Sequence, residues 1–433
     1  MDMREPVLIV GGGIAGLVCA RRLVRAGRNV LLLERDDEVG GRVRTTVRDG
    51  FRLDHGFQVF FTAYPALRAE LDLPSLRLRE FRPAAHIVGA GVRPALIGDA
   101  IADASLLIPT VTASSISFGD KLRMLMLRRF ATALAFDQCF EKRFDSMSTR
   151  EFLTARGFTV GAIENFFAPF YGGILLDRSL ESSASVLLYT FKMLAEGKTA
   201  VPSEGMGAIS AQLSSTLPYG TVRTNHGVVR IQRDAHGIAG VVLNSGEEIR
   251  SSAVVLACDS PSIAALALTA RVPLRLPEAH LGCTTVYLRS AKPMLPGTAL
   301  WLNAARNGVV SHAITISNVA PSYAPAGAAL TAATVLGPEA SASTSALVPR
   351  VLEDLTSMYA TAQPAGAELL AIYRVPYAQY SQPPGSVARR VPVETGVPGL
   401  FLASEVGHSS SLEGAARGGV AAAEAVLRNA RSG

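Results

Sequence analysis

Tryptophan occurs once in this 433-residue chain, at Trp301, and cysteine four times, at Cys19, Cys139, Cys258 and Cys283. The cysteines lie far apart and form no C-x-x-C pair, so the sequence indicates neither a zinc site nor a disulfide framework. Four buried thiols in a reducing cytoplasm are expected, and no metal centre. Lysine is scarce as well: Lys121, Lys142, Lys192, Lys198 and Lys292 are the full set. The net charge is +6, but the basic residues are scattered. Their densest group, Lys121 to Arg129, alternates with Leu and Met and reads as one face of an amphipathic helix, so no nucleic-acid partner is expected. The longest stretch without Asp, Glu, Lys or Arg runs from Asn307 to Pro338 and holds three prolines. That pattern suits buried strands and excludes a membrane span there. The first apolar run starts at Val7, which leaves no room ahead of it for a charged segment and an apolar core, so no signal peptide is expected.

What is present begins with that run. Val7-Leu8-Ile9-Val10 leads into Gly11-Gly12-Gly13-Ile14-Ala15-Gly16, a strand, a Gly-x-Gly-x-x-Gly turn and an alanine-containing helix. Each part answers a demand of a dinucleotide: Gly11 makes the tight turn, Gly13 lets backbone approach a pyrophosphate, and Gly16 lets the helix pack close to the sheet. The helix start offers free N–H groups and a positive dipole end. Glu34, at the end of the next apolar run, suits a carboxylate that accepts from a ribose diol.

The hydrophobic content of 48% allows two domains, each with a real core. Beyond Glu34, the double glycine Gly40-Gly41 permits a turn close to a ligand, and Arg42 brings a guanidinium to it. Residues 62–199 change character, with amphipathic segments at Asp120 to Phe136 and Thr149 to Arg156, and read as mostly helical. Val228 to Ile231 and Ile238 to Leu243, with turn signals between them, read as hairpins, and Ala253 to Ala257 as a buried strand rejoining a parallel sheet. Strands are expected at Cys283 to Leu288, Val309 to Ser317 and Ala328 to Val335, a helix near Leu347 to Tyr359, a last strand at Gly399 to Ala403 and a closing helix at Leu412 to Arg428. The expected architecture is α/β plus α+β: a discontinuous Rossmann-like, glutathione reductase-like domain from residues 1–61, 200–260 and 385–433, with an inserted mixed substrate domain from 62–199 and 261–384.

These motifs, with Leu53-Asp54-His55-Gly56 and Pro398 to Glu405 followed by Leu412-Glu413-Gly414-Ala415, resemble the flavin-containing amine oxidase superfamily, and within it the phytoene desaturase-like and protoporphyrinogen oxidase-like branches. The resemblance implies noncovalent FAD. It implies that Glu34 binds the adenosine ribose, that Val229 meets adenine through its backbone, and that Arg42 sits near the pyrophosphate. Glu405 would take the ribityl-phosphate region, and the helix start at Leu412 would point its dipole at the flavin's pyrimidine ring. Gly11, Gly13, Ile14, Ala15, Gly16, Arg35, Gly41, Gly56, Phe57, Gln58 and Ala415 complete the expected cofactor contacts. Family members read Gly-Asp where this chain has Ser404-Glu405. The lysine that amine oxidases carry near the flavin N5 has no counterpart in Leu281 to Tyr287, and the single Trp301 speaks against a paired aromatic cage.

The stretch Phe57 to Tyr64 is expected to face the isoalloxazine, and Phe60, Tyr64, Phe170, Tyr171 and Tyr377 to form the substrate pocket, with Tyr380 helping to close it. No catalytic dyad is evident. Asp54 is expected to order its own loop through backbone N–H groups, His55 to cap a turn or to lie near the flavin, and Arg417 to be a solvated charge. The leading expectation is an FAD-dependent oxidoreductase that dehydrogenates a hydrophobic small molecule by hydride transfer to flavin N5, with oxygen or a quinone as electron acceptor. Amine oxidation, non-redox isomerisation of a polyene and flavin binding without turnover are the alternatives. A cytoplasmic location is expected, and the basic charge and apolar insertions permit peripheral contact with a membrane.

Overall fold

The computed structural model describes residues 5–89, 93–305, 307–359 and 366–432. Val7–Val10 is buried along its whole length, as strands covered on both faces are. It sits at the centre of a five-stranded parallel sheet in the order Val222–Arg223, Val30–Leu33, Val7–Val10, Val254–Leu256, Leu400–Leu402. The sheet therefore draws strands from the beginning, middle and end of the chain. Beside it, Val228–Arg233, Ile238–Leu243 and Glu248–Arg250 form the expected antiparallel hairpins.

A second, seven-stranded sheet runs Glu368–Tyr380, His280–Ser290, Ala329–Leu336, Val310–Thr315, Leu300–Asn303, Ala84–Val88, Ala95–Gly98. Its last two strands come from the segment expected to be mostly helical. They are short, and Pro83 and Gly89 interrupt their pattern, which hides them from a periodicity reading. The expected helices near Asp120 and Thr149 are present as Phe118–Ala133 and Thr149–Ala155, the latter opened by a capping box between Ser148 and Glu151. Among the described residues no helix is long and apolar enough to cross a membrane.

The closing helix, Leu412–Ser432, lies on the first helix, Ile14–Arg25. The contact is backbone against backbone. A Cβ at Gly419 would lie 2.4 Å from the Ala15 carbonyl oxygen, and one at Gly418 would lie 2.5 Å from that of Ser404. Ala416, Ala422, Ala423 and Ala425 bury the rest of the face. Gly419→Ala should therefore force the helices apart and cost about 1–3 kcal/mol. A lowered urea midpoint at unchanged m-value is expected; an unaltered midpoint would refute this packing.

Candidate functional site

A cavity of about 1130 Å³ runs between the two sheets and collects most of the residues singled out above. Gly11, Gly13, Ile14, Ala15, Glu34, Arg35, Gly41, Arg42, Gly56, Phe57, Gln58, Val229, Glu405, Leu412 and Ala415 all line it, as do Tyr64, Phe170 and Tyr171. The glycine turn has the geometry its sequence demands. Gly11 has φ +111°, and a Cβ at Gly16 would fall 2.0 Å from the Gly11 carbonyl oxygen. Gly16 thus packs helix on turn and lies off the cavity wall. Gly40 donates its N–H to the Gly12 carbonyl at 2.8 Å, which draws the second glycine loop against the first. Arg44 staples that loop by ion pairs to Asp36, Asp37 and Glu38 at 2.8, 3.1 and 2.8 Å.

Glu34 is nearly buried, and its carboxylate accepts from the backbone N–H groups of Gly12 at 2.7 Å and Asp36 at 3.0 Å. A carboxylate has four lone-pair directions, so two acceptor positions are left over. Arg42 joins distant segments. Its guanidinium pairs with Glu405 at 2.7 Å and donates to the Ala378 carbonyl at 2.8 Å. The Glu405 charge holds the Arg42 pKa above its ordinary value against the opposing effect of burial. At the start of the closing helix, the buried Glu413 carboxylate accepts from the N–H groups of Ala66 and Leu67. Burial pushes its pKa up. Glu413 stands in the Leu412–Ala415 motif with no role evident from the sequence; here it ties the start of the closing helix to Ala66 and Leu67.

Other parts of the site differ from expectation. Phe60 is fully buried away from the cavity, because its strand pairs with Ala200 and turns the ring into the core. Tyr377 is half exposed and off the cavity wall. Around Pro376 the strand carries extra residues, with Cys283 opposite Val375 but Leu281 opposite Gln379, and this bulge presents Val375, Ala378 and Gln379 to the cavity instead. Tyr380 is buried and donates its hydroxyl to the Glu405 carbonyl at 3.3 Å. Arg417 is not a solvated charge: its guanidinium lies 3.6 Å from the centre of the Phe136 ring and bonds Glu413 at 2.9 Å. Cys258 is only partly buried and lines the cavity, while the other three thiols are buried. His55 lines the cavity, contacts the Thr46 hydroxyl at 2.8 Å and stacks on Tyr373.

Asp54 does not order its own loop. Its carboxylate accepts from the Thr45 hydroxyl and from the Met206 N–H at 2.9 Å, and from the Tyr323 hydroxyl at 2.8 Å, tying the Thr45–Asp54 hairpin to remote elements. Burial raises its pKa from 3.8 to about 6, with those three donors pulling the other way.

The residue with no forewarning is His312. It sits in Val310–Thr315, a strand buried throughout, lines the cavity beside the edge of Phe57 at 5.1 Å, and its Nδ1 has no partner. Burial, aided by the Arg178 charge, lowers its pKa to about 4, so the ring is neutral at pH 7. Only a lone histidine in an apolar run marks it in the sequence.

A parallel sheet, an uncapped glycine turn, the buried Glu34 carboxylate and a second helix start thus share one cavity. The chain belongs to the family described as flavin containing amine oxidoreductase, whose profile matches residues 14–427. It is 31% identical over 122 residues to coproporphyrinogen III oxidase of Propionibacterium freudenreichii subsp. freudenreichii, covering 27% of this chain and 23% of that one. It is 29% identical over 179 residues to protoporphyrinogen oxidase 2 of Arabidopsis thaliana, covering 39% and 32%. The chain thus spans less than a third of the length of these two relatives. Cyclohexylamine oxidase from Brevibacterium oxydans IH-35A shares the fold, with a TM-score of 0.70 at 18% identity over 99% of this chain and 100% of that one.

Folding favours the protonated form of Asp54, so its contribution to stability is complete below about pH 4 and is lost as pH rises through about 6. Between those limits the unfolding free energy should fall by as much as about 3 kcal/mol through this group. Denaturant titrations of wild type and Asp54→Asn should show the slope in the first and its loss in the second. Parallel pH profiles would refute the assignment.

Proposed function

We propose that this protein is an FAD-dependent oxidoreductase that dehydrogenates an apolar small molecule. The carrying observation is that a single cavity joins the glycine turn, Glu34, the Arg42–Glu405 pair and the Leu412 helix start to a chamber walled by Phe57, Tyr64, Phe170 and Tyr171. The residues fit the cofactor. The first helix has no side-chain cap, leaving its initial N–H groups free for phosphate, and a Cβ at Gly13 would meet nothing within 4 Å, so the turn opens onto space. Glu34 has acceptor capacity for ribose hydroxyls, and Val229 lies at the cavity wall with its hairpin. FAD held by these residues would supply an electron sink for a hydride from the substrate.

The chain's own residues supply position and exclusion of water. Phe57 is held by its N–H to the Thr285 hydroxyl at 2.9 Å, and Gln58 by its amide to the Arg42 carbonyl at 2.7 Å, so this loop is rigid where it borders the chamber. Neutral His312 can exchange a hydrogen bond with a polar group of the substrate but carries no charge to attract or repel one. Removing a hydride from carbon needs orientation more than acid or base, which accords with the lack of a catalytic dyad among the described residues. The local likeness to two porphyrinogen oxidases favours a cyclic substrate with an apolar ring body and ring N–H groups over a pure hydrocarbon, because such groups would give His312 a partner. Oxygen or a quinone is the electron acceptor in this reading.

The purified protein should be yellow, and anaerobic titration with porphyrinogens, polyenes and amines should bleach the flavin band with the first class. A colourless protein that takes up no FAD would overturn the proposal, and bleaching by amines alone would move the substrate class. Glu34→Ala should raise the FAD Kd about tenfold to a hundredfold, as expected for loss of hydrogen bonds to a charged group. Flavin-fluorescence titration measures this, and an unchanged Kd would remove the ribose role.

A further inference from the structure

Of the large apolar side chains that stand exposed among the described residues, eight of fifteen lie between Ile101 and Met126. Ile101 lies in a turn, and the other seven belong to two helices. Leu107–Thr112 buries none of its residues, and Leu107, Ile108 and Val111 face outward, Ile108 at 74% exposure. Phe118–Ala133 buries Asp120, Leu127 and Ala131, and turns Phe118, Leu122, Leu125 and Met126 outward along one stripe, Phe118 at 72% exposure. In a soluble amphipathic helix the apolar stripe is the buried one. Here the helix carries a second apolar stripe with nothing on it, and contiguous exposed apolar surface marks an interaction site.

We propose that this face docks the protein on a lipid bilayer, so that substrate passes between bilayer and cavity without crossing water. The proposal rests on the apolar-substrate reading above and names where that substrate is drawn from. Two observations select a bilayer over another protein. First, Leu107, Val111, Phe118, Leu122 and Leu125 also line the cavity, so its mouth opens within the patch. A protein seated there would cover the mouth, whereas lipid would continue the apolar path. Second, the acids around the patch are neutralised. Asp99 pairs with Arg128 at 2.9 Å, Asp103 with Arg82 at 3.1 Å, and Asp120 with Arg123 at 3.5 Å. Arg129 is exposed, and Lys121 donates only to the carbonyls of Val111 and Ala113, so both stay positive without a carboxylate partner beside an anionic headgroup layer.

The test is flotation of the flavin-loaded protein with phosphatidylcholine–phosphatidylglycerol vesicles. Wild type should rise with the lipid. Ile108→Ser combined with Met126→Ser, at two positions off the cavity wall, should lower the bound fraction roughly tenfold or more. Leu268→Ser, an equally exposed apolar position elsewhere, should leave it unchanged. Wild type remaining in the dense fraction, or the double variant floating as well as wild type, would overturn the proposal. So would a lipid-free dimer in sedimentation that the double variant abolishes, since a second copy would then be the occupant. Flavin absorbance per chain, read on the same fractions, separates the two ideas. Its absence counts against the enzyme reading, and its retention without flotation counts against docking alone.

Discussion

The cavity exists because the closing helix can press its backbone onto the first helix. Glycine at 419 removes the side chain that would hold them apart, glycine at 418 lets the same helix close on Ser404 after the last strand, and the alanines beyond seal the seam. That contact sets the last strand beside Val254–Leu256 and delivers Glu405 to Arg42 from the far end of the sequence. Glu413 then locks the start of the same helix to Ala66 and Leu67. One close approach between two helices thus positions an ion pair, a helix dipole and a buried carboxylate, each facing or framing the same space. A side chain at either glycine would act on all three together, because close-packed interiors transmit displacement and do not absorb it.

The cavity's two characters follow from which elements wall it. Around the parallel sheet the groups are polar and held by backbone: Glu34 by two N–H groups, Arg42 by Glu405 and a carbonyl. Around the seven-stranded sheet and the inserted helices most are aromatic or aliphatic, with His312 kept neutral by burial. A charged ligand portion is favoured on one side and an uncharged one on the other. Desolvation enforces that division as firmly as shape does.

The half of the cavity around the glycine turn was legible in the sequence because its signals are local. A strand, three spaced glycines, a helix and a terminal acid have fixed spacing, and the backbone at Gly11 and Gly16 obeys it. The flavin family could be read from motifs at both ends of the chain, and the match over residues 14–427 bears that out. The chamber was legible only in part, since its wall depends on how two insertions meet. Tyr377 was misplaced because a bulge around Pro376 shifts the register, which no single-strand pattern reveals. Phe60 was misplaced because a two-residue strand pairs with Ala200, a long-range choice. Arg417 found a carboxylate on its own helix and the Phe136 ring in a remote turn. Asp54 gathers donors from residues 45, 206 and 323, and nothing near it announces them.

The interleaving of the parallel sheet also bears on how the chain is made. Val7–Val10 leaves the ribosome long before Val254–Leu256, one of its two flanking partners, and that strand in turn awaits Leu400–Leu402. For most of translation the earliest strand and helix have an uncovered edge and an uncovered face. Pairing at such sequence separation is slow and leaves sticky surface in the meantime. Nascent chains halted short of the final hundred or so residues should behave as chaperone clients, because the closing segment is the cover of the first one.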